Sequence, residues 1–188
     1  MPHVVLLRGV NVGGHRTFRP AVLANQLQHL DAVNIGAAGT FVIWKRVSRT
    51  QLRAELASRL PFETAIMICT GREITRLLST DWFAGRSSIP DVVRFVSLLS
   101  HAPRLAPRLP MMLPSGGSER TRPTDRGQWL LRVLAHDGRF VIGEYRRQMK
   151  AIGYLGALDR IFGSSATTRN WNTIVAIAKA LDRGDRLS

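Results

Sequence analysis

Cysteine occurs once in the 188 residues, at Cys69, so the chain has no internal disulfide and no cysteine cluster that would hold a metal. Acidic side chains are scarce as well, 13 against 27 basic ones, which leaves a formal net charge of +14. Lysine is scarcer still: only Lys45, Lys150 and Lys179 are lysine, and the other basic residues are arginine. No apolar run approaches the ~18 residues that a membrane span requires. The opening residues Met1 to Arg8 carry neither a basic segment ahead of their apolar run nor a small-residue cleavage site. The expectation is a cytoplasmic protein, without a membrane partner, in a reducing compartment.

The usual catalytic patterns are also missing. His3, His15, His29, His101 and His136 form no i,i+4 pair and no H-E-x-x-H pattern, so neither a metal nor a cofactor is expected. There is no G-x-S-x-G elbow. Cys69 lies in an apolar stretch, and Thr75 stands where a Cys-x5-Arg phosphatase loop needs its arginine, so Cys69 reads as a buried structural thiol. Asp81, Asp91 and Asp159 have no spacing that implies paired acid–base work. No residue is assigned a catalytic role.

What is present in quantity is positive charge. It attracts nucleic acid, anionic surfaces and phosphorylated ligands. The arginines are nonetheless spread along the chain, and a GC-rich genome produces the same arginine-for-lysine bias with no partner at all.

The apolar pattern predicts an α+β fold. His3 to Leu7 reads as a strand, followed by a glycine-containing loop and a helix begun by Pro20, with Leu23, Leu27 and Leu30 facing the core. Val33 to Ile35 and Thr40 to Trp44 read as strands joined through Gly36-Ala37-Ala38-Gly39. Ser48 and Gln51 have the spacing of a capping box ahead of Leu52, Leu56 and Leu60, with Pro61 as the stop. Thr64 to Cys69 is a further strand, and a second capping box, Thr70 with Glu73, opens a helix carrying Ile74, Leu77 and Leu78. The order β-α-β-β-α-β is that of a ferredoxin-like unit, here residues 1–80.

Residues 81–188 read as a second, smaller α+β subdomain. It has a strand over Val92 to Leu99, a hairpin of Trp129 to Leu134 and Arg139 to Ile142 around Asp137-Gly138, and a helix over Tyr154 to Phe162 ended by Gly163. A last helix carries a stripe of Trp171, Ile174, Val175, Ala178 and Leu181, capped by Thr168 or Asn170. Between strand and hairpin, the segment 101–127 interleaves five prolines with arginines and reads as a mobile basic loop with one short helical turn.

Two stretches stand out. Leu6-Leu7-Arg8-Gly9-Val10-Asn11-Val12-Gly13-Gly14 follows the first strand, and Ala166-Thr167-Thr168-Arg169-Asn170-Trp171-Asn172-Thr173 is read as opening the last helix. From the first strand to the last helix, they resemble the opening and closing signatures of the bacterial family classed as domain of unknown function 1697. The resemblance implies two α+β subdomains, the first ferredoxin-like, and no particular activity. The chain departs from the family in two places. A Gln-Ser-Gly-Asn turn typical of members is Ala37-Ala38-Gly39-Thr40 here, and a Gly-Arg-Ser-Lys stretch is Tyr145-Arg146-Arg147-Gln148-Met149-Lys150.

Glycines between a strand and a helix let backbone N–H groups converge on an anion near the positive end of the helix dipole. The same glycines also serve a tight turn that needs positive φ. The spacing is neither G-x-G-x-x-G nor a Walker loop. In the closing motif, an arginine in the first helical turn is opposed by the dipole, so Arg169 is expected to face a bound anion or a buried carboxylate. The residues expected to bind ligand are Arg8, Asn11, Gly13, Gly14, Arg169 and Asn170. Trp44, Trp82, Trp129 and Trp171 divide between core packing and base stacking. Three function classes follow: a binding module for nucleic acid or a phosphorylated metabolite, an enzyme acting on an anionic small molecule through the same residues, and a protein-interaction scaffold using the second half.

Overall fold

The structure, a computed structural model, describes residues 1–10, 18–114 and 129–184. The chain is mixed α+β, with two antiparallel sheets and five α-helices among the described residues. It divides into two compact units, Met1–Ser79 with Asn172–Ser188, and Thr80–Trp171. The terminal helix, which the sequence pattern places with the second subdomain, therefore groups with the first.

In the first unit, β1 (His3–Leu7), β2 (Ala32–Asn34), β3 (Thr40–Ile43) and β4 (Ile66–Thr70) form a sheet in the order β2-β3-β1-β4, every neighbouring pair antiparallel. Alternation along β1 sends Val5 and Leu7 to one face. There they join Leu23 and Leu27 near α1 (Pro20–Gln26), Leu52 and Leu56 of α2 (Arg49–Arg59), and Phe41, Ile43, Ile66 and Ile68 in one core. Pro20 sits at the start of α1 as its missing N–H predicts, but α1 ends at Gln26, and Leu30 reaches the core from a 3-10 turn, Gln28–Leu30.

Both capping boxes form. The Gln51 N–H donates to Ser48 Oγ at 3.2 Å and the Ser48 N–H to Gln51 Oε1 at 3.3 Å. The Glu73 N–H donates to Thr70 Oγ1 at 3.3 Å and the Thr70 N–H to Glu73 Oε2 at 2.8 Å, opening α3 (Gly71–Leu78). Cys69 is buried in β4. The helix α5 (Trp171–Gly184) buries Ile174, Ile177 and Leu181, so its covered stripe runs through Ile177 instead of Val175 and Ala178.

In the second unit, β5 (Val92–Leu99), β6 (Met111–Leu113), β7 (Leu131–Asp137), β8 (Phe140–Arg146) and β9 (Ala166–Asn170) form a sheet in the order β6-β7-β8-β5-β9, again antiparallel throughout. β5 lies between β8 and β9 and buries its last five residues. β7 and β8 meet through Gly138 and Arg139, with Asp137 opposite Phe140. The left-handed φ of Gly138, 55°, at the first loop position is what a II′ turn needs. One face of this sheet packs with α4 (Met149–Phe162) through Phe95, Leu99, Leu131, Val133, Val141, Leu158 and Phe162. Gly163, at φ 62°, ends that helix.

Three expectations are corrected here. α4 begins at Met149, five residues before Tyr154, because Gln148 in extended conformation already sets its N-terminus. The segment 101–127 contains a strand, β6, where only loop and one helical turn are expected. Three residues between Pro110 and Pro114 are too few to show a period, and their pairing with β7 is set by tertiary context. Residues 115–128 lie outside the described residues. The third correction is β9, taken up next.

Candidate functional site

β1 delivers the first motif. Its strand ends at Leu7, whose N–H donates to Gly39 O at 2.8 Å; the Arg8 N–H donates to Ala65 O at 3.0 Å, and Thr64 Oγ1 donates to Arg8 O at 2.5 Å. Arg8 thus leaves the sheet with its backbone pinned on both sides. Gly9 follows at φ 61°, exposed, and a β-carbon there would meet nothing within 4 Å. Backbone conformation, not crowding, is what calls for glycine at this position. Asn11, Gly13 and Gly14 lie outside the described residues.

Arg8 and Gly9 border a groove of about 990 Å³ that runs past Phe62, Glu63 and Thr64 toward the end of α2. Arg8 and Gly9 bring a cationic residue and a loop backbone to this lining, and Glu63 brings an acidic one, with Thr64 and Ala65 bonded directly to the Arg8 backbone.

Gly39 is the residue of the Ala37-Ala38-Gly39-Thr40 turn that matches the family pattern, and its role is steric. It sits at φ 66°, and a β-carbon on it would lie 2.7 Å from Val10 Cγ2 and 3.0 Å from Leu7 Cβ. The turn holds the first motif in place by close approach.

The closing motif differs from its sequence reading. Ala166–Asn170 is the strand β9, paired with β5 from Phe95↔Asn170 to Leu99↔Ala166. Two consecutive threonines favour an extended chain, and the open edge of β5 supplies partners. Arg169 is consequently not in the first turn of a helix, and the dipole argument for an anion beside it does not apply. Its Nη1 donates to Thr167 Oγ1 at 3.1 Å and to Thr168 O at 2.8 Å. Arg169 is 6% exposed, and burial pulls its guanidinium down from its ordinary value to about 10. Thr168 does not cap α5; its hydroxyl meets Ser97 Oγ at 2.6 Å across the β5–β9 pair. Asn170 is exposed, and its Oδ1 accepts from Tyr145 Oη at 3.3 Å. Arg8 belongs to the first unit, Arg169 and Asn170 to the second.

A charge row on the second sheet escapes the sequence reading. Arg94 of β5, Glu144 of β8 and Arg132 of β7 stand directly across from one another. Arg132 bonds Glu144 through Nε and Nη2, and Arg94 Nε lies 3.5 Å from the other carboxylate oxygen. Trp129 lies between two guanidinium groups, Arg132 at 4.4 Å and Arg146 at 4.5 Å from its ring centre, and Arg146 pairs with Asp91 at 2.7 Å. The available signal is a glutamate directly after the apolar run Phe140-Val141-Ile142-Gly143, where burial demands a cationic partner.

Trp129 is buried, and Trp44, Trp82 and Trp171 are half-buried, with Trp171 edge-on to Phe83 at 5.1 Å. No sheet face among the described residues carries an exposed tryptophan. No cluster of three His, Cys, Asp or Glu side chains suited to a metal occurs among the described residues. No helix among them is long and apolar enough to cross a membrane.

No curated protein matches the chain. Among solved structures, it is similar to a conserved bacterial protein, SP0830, from Streptococcus pneumoniae, with a TM-score of 0.54 and 15% sequence identity over 95% of this chain and 97% of that one. At that identity the likeness speaks for the fold alone. The sequence profile of a family described as protein of unknown function matches residues 1–128, which takes in the first motif and the Gly39 turn but stops short of β9. With that match over the first strand, the glycine loop and both capped helices, the chain belongs to the DUF1697 family.

Proposed function

We propose that this protein is a binding module for a small anionic ligand, a phosphorylated metabolite in kind, seated in the groove beside Arg8. The observation that carries the reading is the placement of Arg8 and Gly9, the described part of the glycine motif, on the rim of that groove. The presence of both a basic and an acidic residue in the lining refines the ligand class. An anionic group would lie against Arg8 and the loop backbone, with Asn11, Gly13 and Gly14 as further donors, and a cationic or hydrogen-donating group would face Glu63. A dipolar phosphorylated molecule meets both demands.

The same reading takes the first unit as ferredoxin-like, supported by the order β2-β3-β1-β4 with all pairs antiparallel. It takes the protein as cytoplasmic, supported by the single buried thiol. A small ligand is favoured over nucleic acid because no tryptophan is exposed among the described residues, which leaves no open row of rings for successive bases.

Calorimetric titration with pyrophosphate and with a phosphorylated amino alcohol tests the proposal. Arg8→Ala should weaken binding about tenfold, the worth of one charge-assisted hydrogen bond. Arg169→Ala and Asn170→Ala serve as companion variants. Single-stranded RNA bound at about 50 mM salt and released at about 200 mM, with no binding of either small ligand, would replace this reading with a nucleic-acid one.

A further inference from the structure

We propose a second ligand site in the first unit, an apolar cleft with a cationic mouth that takes a small amphipathic carboxylate. The sequence builds it from two periodicities. Val33 of β2 and Ile35, one residue past its end, are two apart and line the same cleft. Ala176 and Ala180 are four apart on α5, as are Lys179 and Arg183, so each pair shares a helical face. These residues and Trp44, just past β3, enclose a cleft of about 470 Å³, within the range of small-ligand sites.

The cleft exists because the α5 residues facing β2 are alanines: a larger side chain at 176 or 180 would fill the space. Its walls are the strand aliphatics, the Trp44 ring and the two alanine methyl groups. Val33 stays 43% exposed, an apolar side chain on an outer strand without a cover. Among the described residues, Lys179 and Arg183, both exposed, are the only charged side chains lining the cleft, and none lining it is a carboxylate. Apolar walls exclude a bare inorganic anion, which would lose its hydration for nothing. Two cations without an acid disfavour a neutral or cationic guest. An aliphatic or aromatic body lying on Trp44 and Val33, with a carboxylate turned toward Lys179 and Arg183, satisfies both. The long stems of those two residues can lie over the apolar body while their heads stay in water. Binding here requires no chemical step and does not depend on the Arg8 groove.

The test is calorimetric titration of the full chain with octanoate and with 1-octanol. Octanoate should bind saturably, one per chain. The double variant Lys179→Ala/Arg183→Ala should weaken octanoate about tenfold and leave 1-octanol unchanged. Ala180→Trp should abolish both, and Arg8→Ala should abolish neither. Equal loss of octanoate and octanol in the double variant would overturn the cationic mouth, and octanoate binding that survives a folded Ala180→Trp would place it elsewhere. If Ala180→Trp does not fold, the double variant decides, because both replaced side chains are exposed. Co-sedimentation with phosphatidylglycerol vesicles without saturable octanoate binding would overturn the proposal in favour of a lipid surface.

Discussion

Arg132 donates through both Nε and Nη2 to a single oxygen of Glu144, at 2.6 and 2.5 Å, and the carboxylate is 1% exposed. A carboxylate so placed has lost its water and depends on the guanidinium groups around it. The row Arg94, Glu144, Arg132, continued through Trp129 to Arg146 and Asp91, ties β5, β7 and β8 together by charge on one sheet face.

Replacing Glu144 by Ala removes the carboxylate that accepts both Arg132 bonds and leaves a cavity beside two guanidinium groups. The expected loss is about 3 kcal/mol or more of unfolding free energy, read as a lower midpoint in urea. Glu144→Gln should lose less, since its amide oxygen still accepts one hydrogen bond. Equal stability of wild type and Glu144→Ala would refute the dependence.

Gly39→Ala meets two penalties at once, a left-handed backbone and a β-carbon 2.7 Å from Val10 Cγ2. About 2–4 kcal/mol of destabilisation is expected from strain and overpacking together. Gly9→Ala carries only the backbone cost, since nothing lies within 4 Å of its β-carbon. It should lose about 1–2 kcal/mol. Urea melts of the two variants separate the terms, and equal losses would contradict the close-approach account.

Alkaline pH should act on Tyr145 and Arg169 in opposite directions. Burial raises the Tyr145 phenol above its ordinary value of 10.0, against a smaller opposing effect of Arg147. The folded state therefore keeps that proton longer than the unfolded state, and stability falls as pH passes 10. Burial lowers Arg169 from its ordinary value to about 10, so the folded state releases its proton first and stability gains as pH rises above that value. Tyr145→Phe should lose less stability than wild type between pH 10 and 11, and Arg169→Met should lose more, in matched urea titrations. The phenol itself should titrate above 10.0 in ultraviolet difference spectra.

The parts of the fold legible in the sequence are those governed by local chemistry. Ser48 and Gln51, Thr70 and Glu73, Pro20, Gly138 and Gly163 each act within a few residues, and each produces the feature its chemistry predicts. β6 and β9 are different, since Met111–Leu113 is too short for a pattern and Ala166–Asn170 is a strand only because β5 offers an edge. The misplacement of Arg169 followed from that single error. The Arg8 side of the candidate site was visible as a glycine-containing strand end, whereas Trp44, Lys179 and Arg183 were not, because their cleft joins residues more than 130 positions apart.

The outer strand β6 has a consequence for how copies of this protein meet one another. A sheet margin with free N–H and C=O groups templates pairing with a second chain, and in a crowded solution that route leads to aggregates. β6 offers only three residues, and Pro110 and Pro114 on either side of it have no N–H to give. An incoming strand finds too short a ladder to hold on to. The same two prolines that hide this strand from a sequence pattern also guard this margin of the sheet against pairing with a second chain.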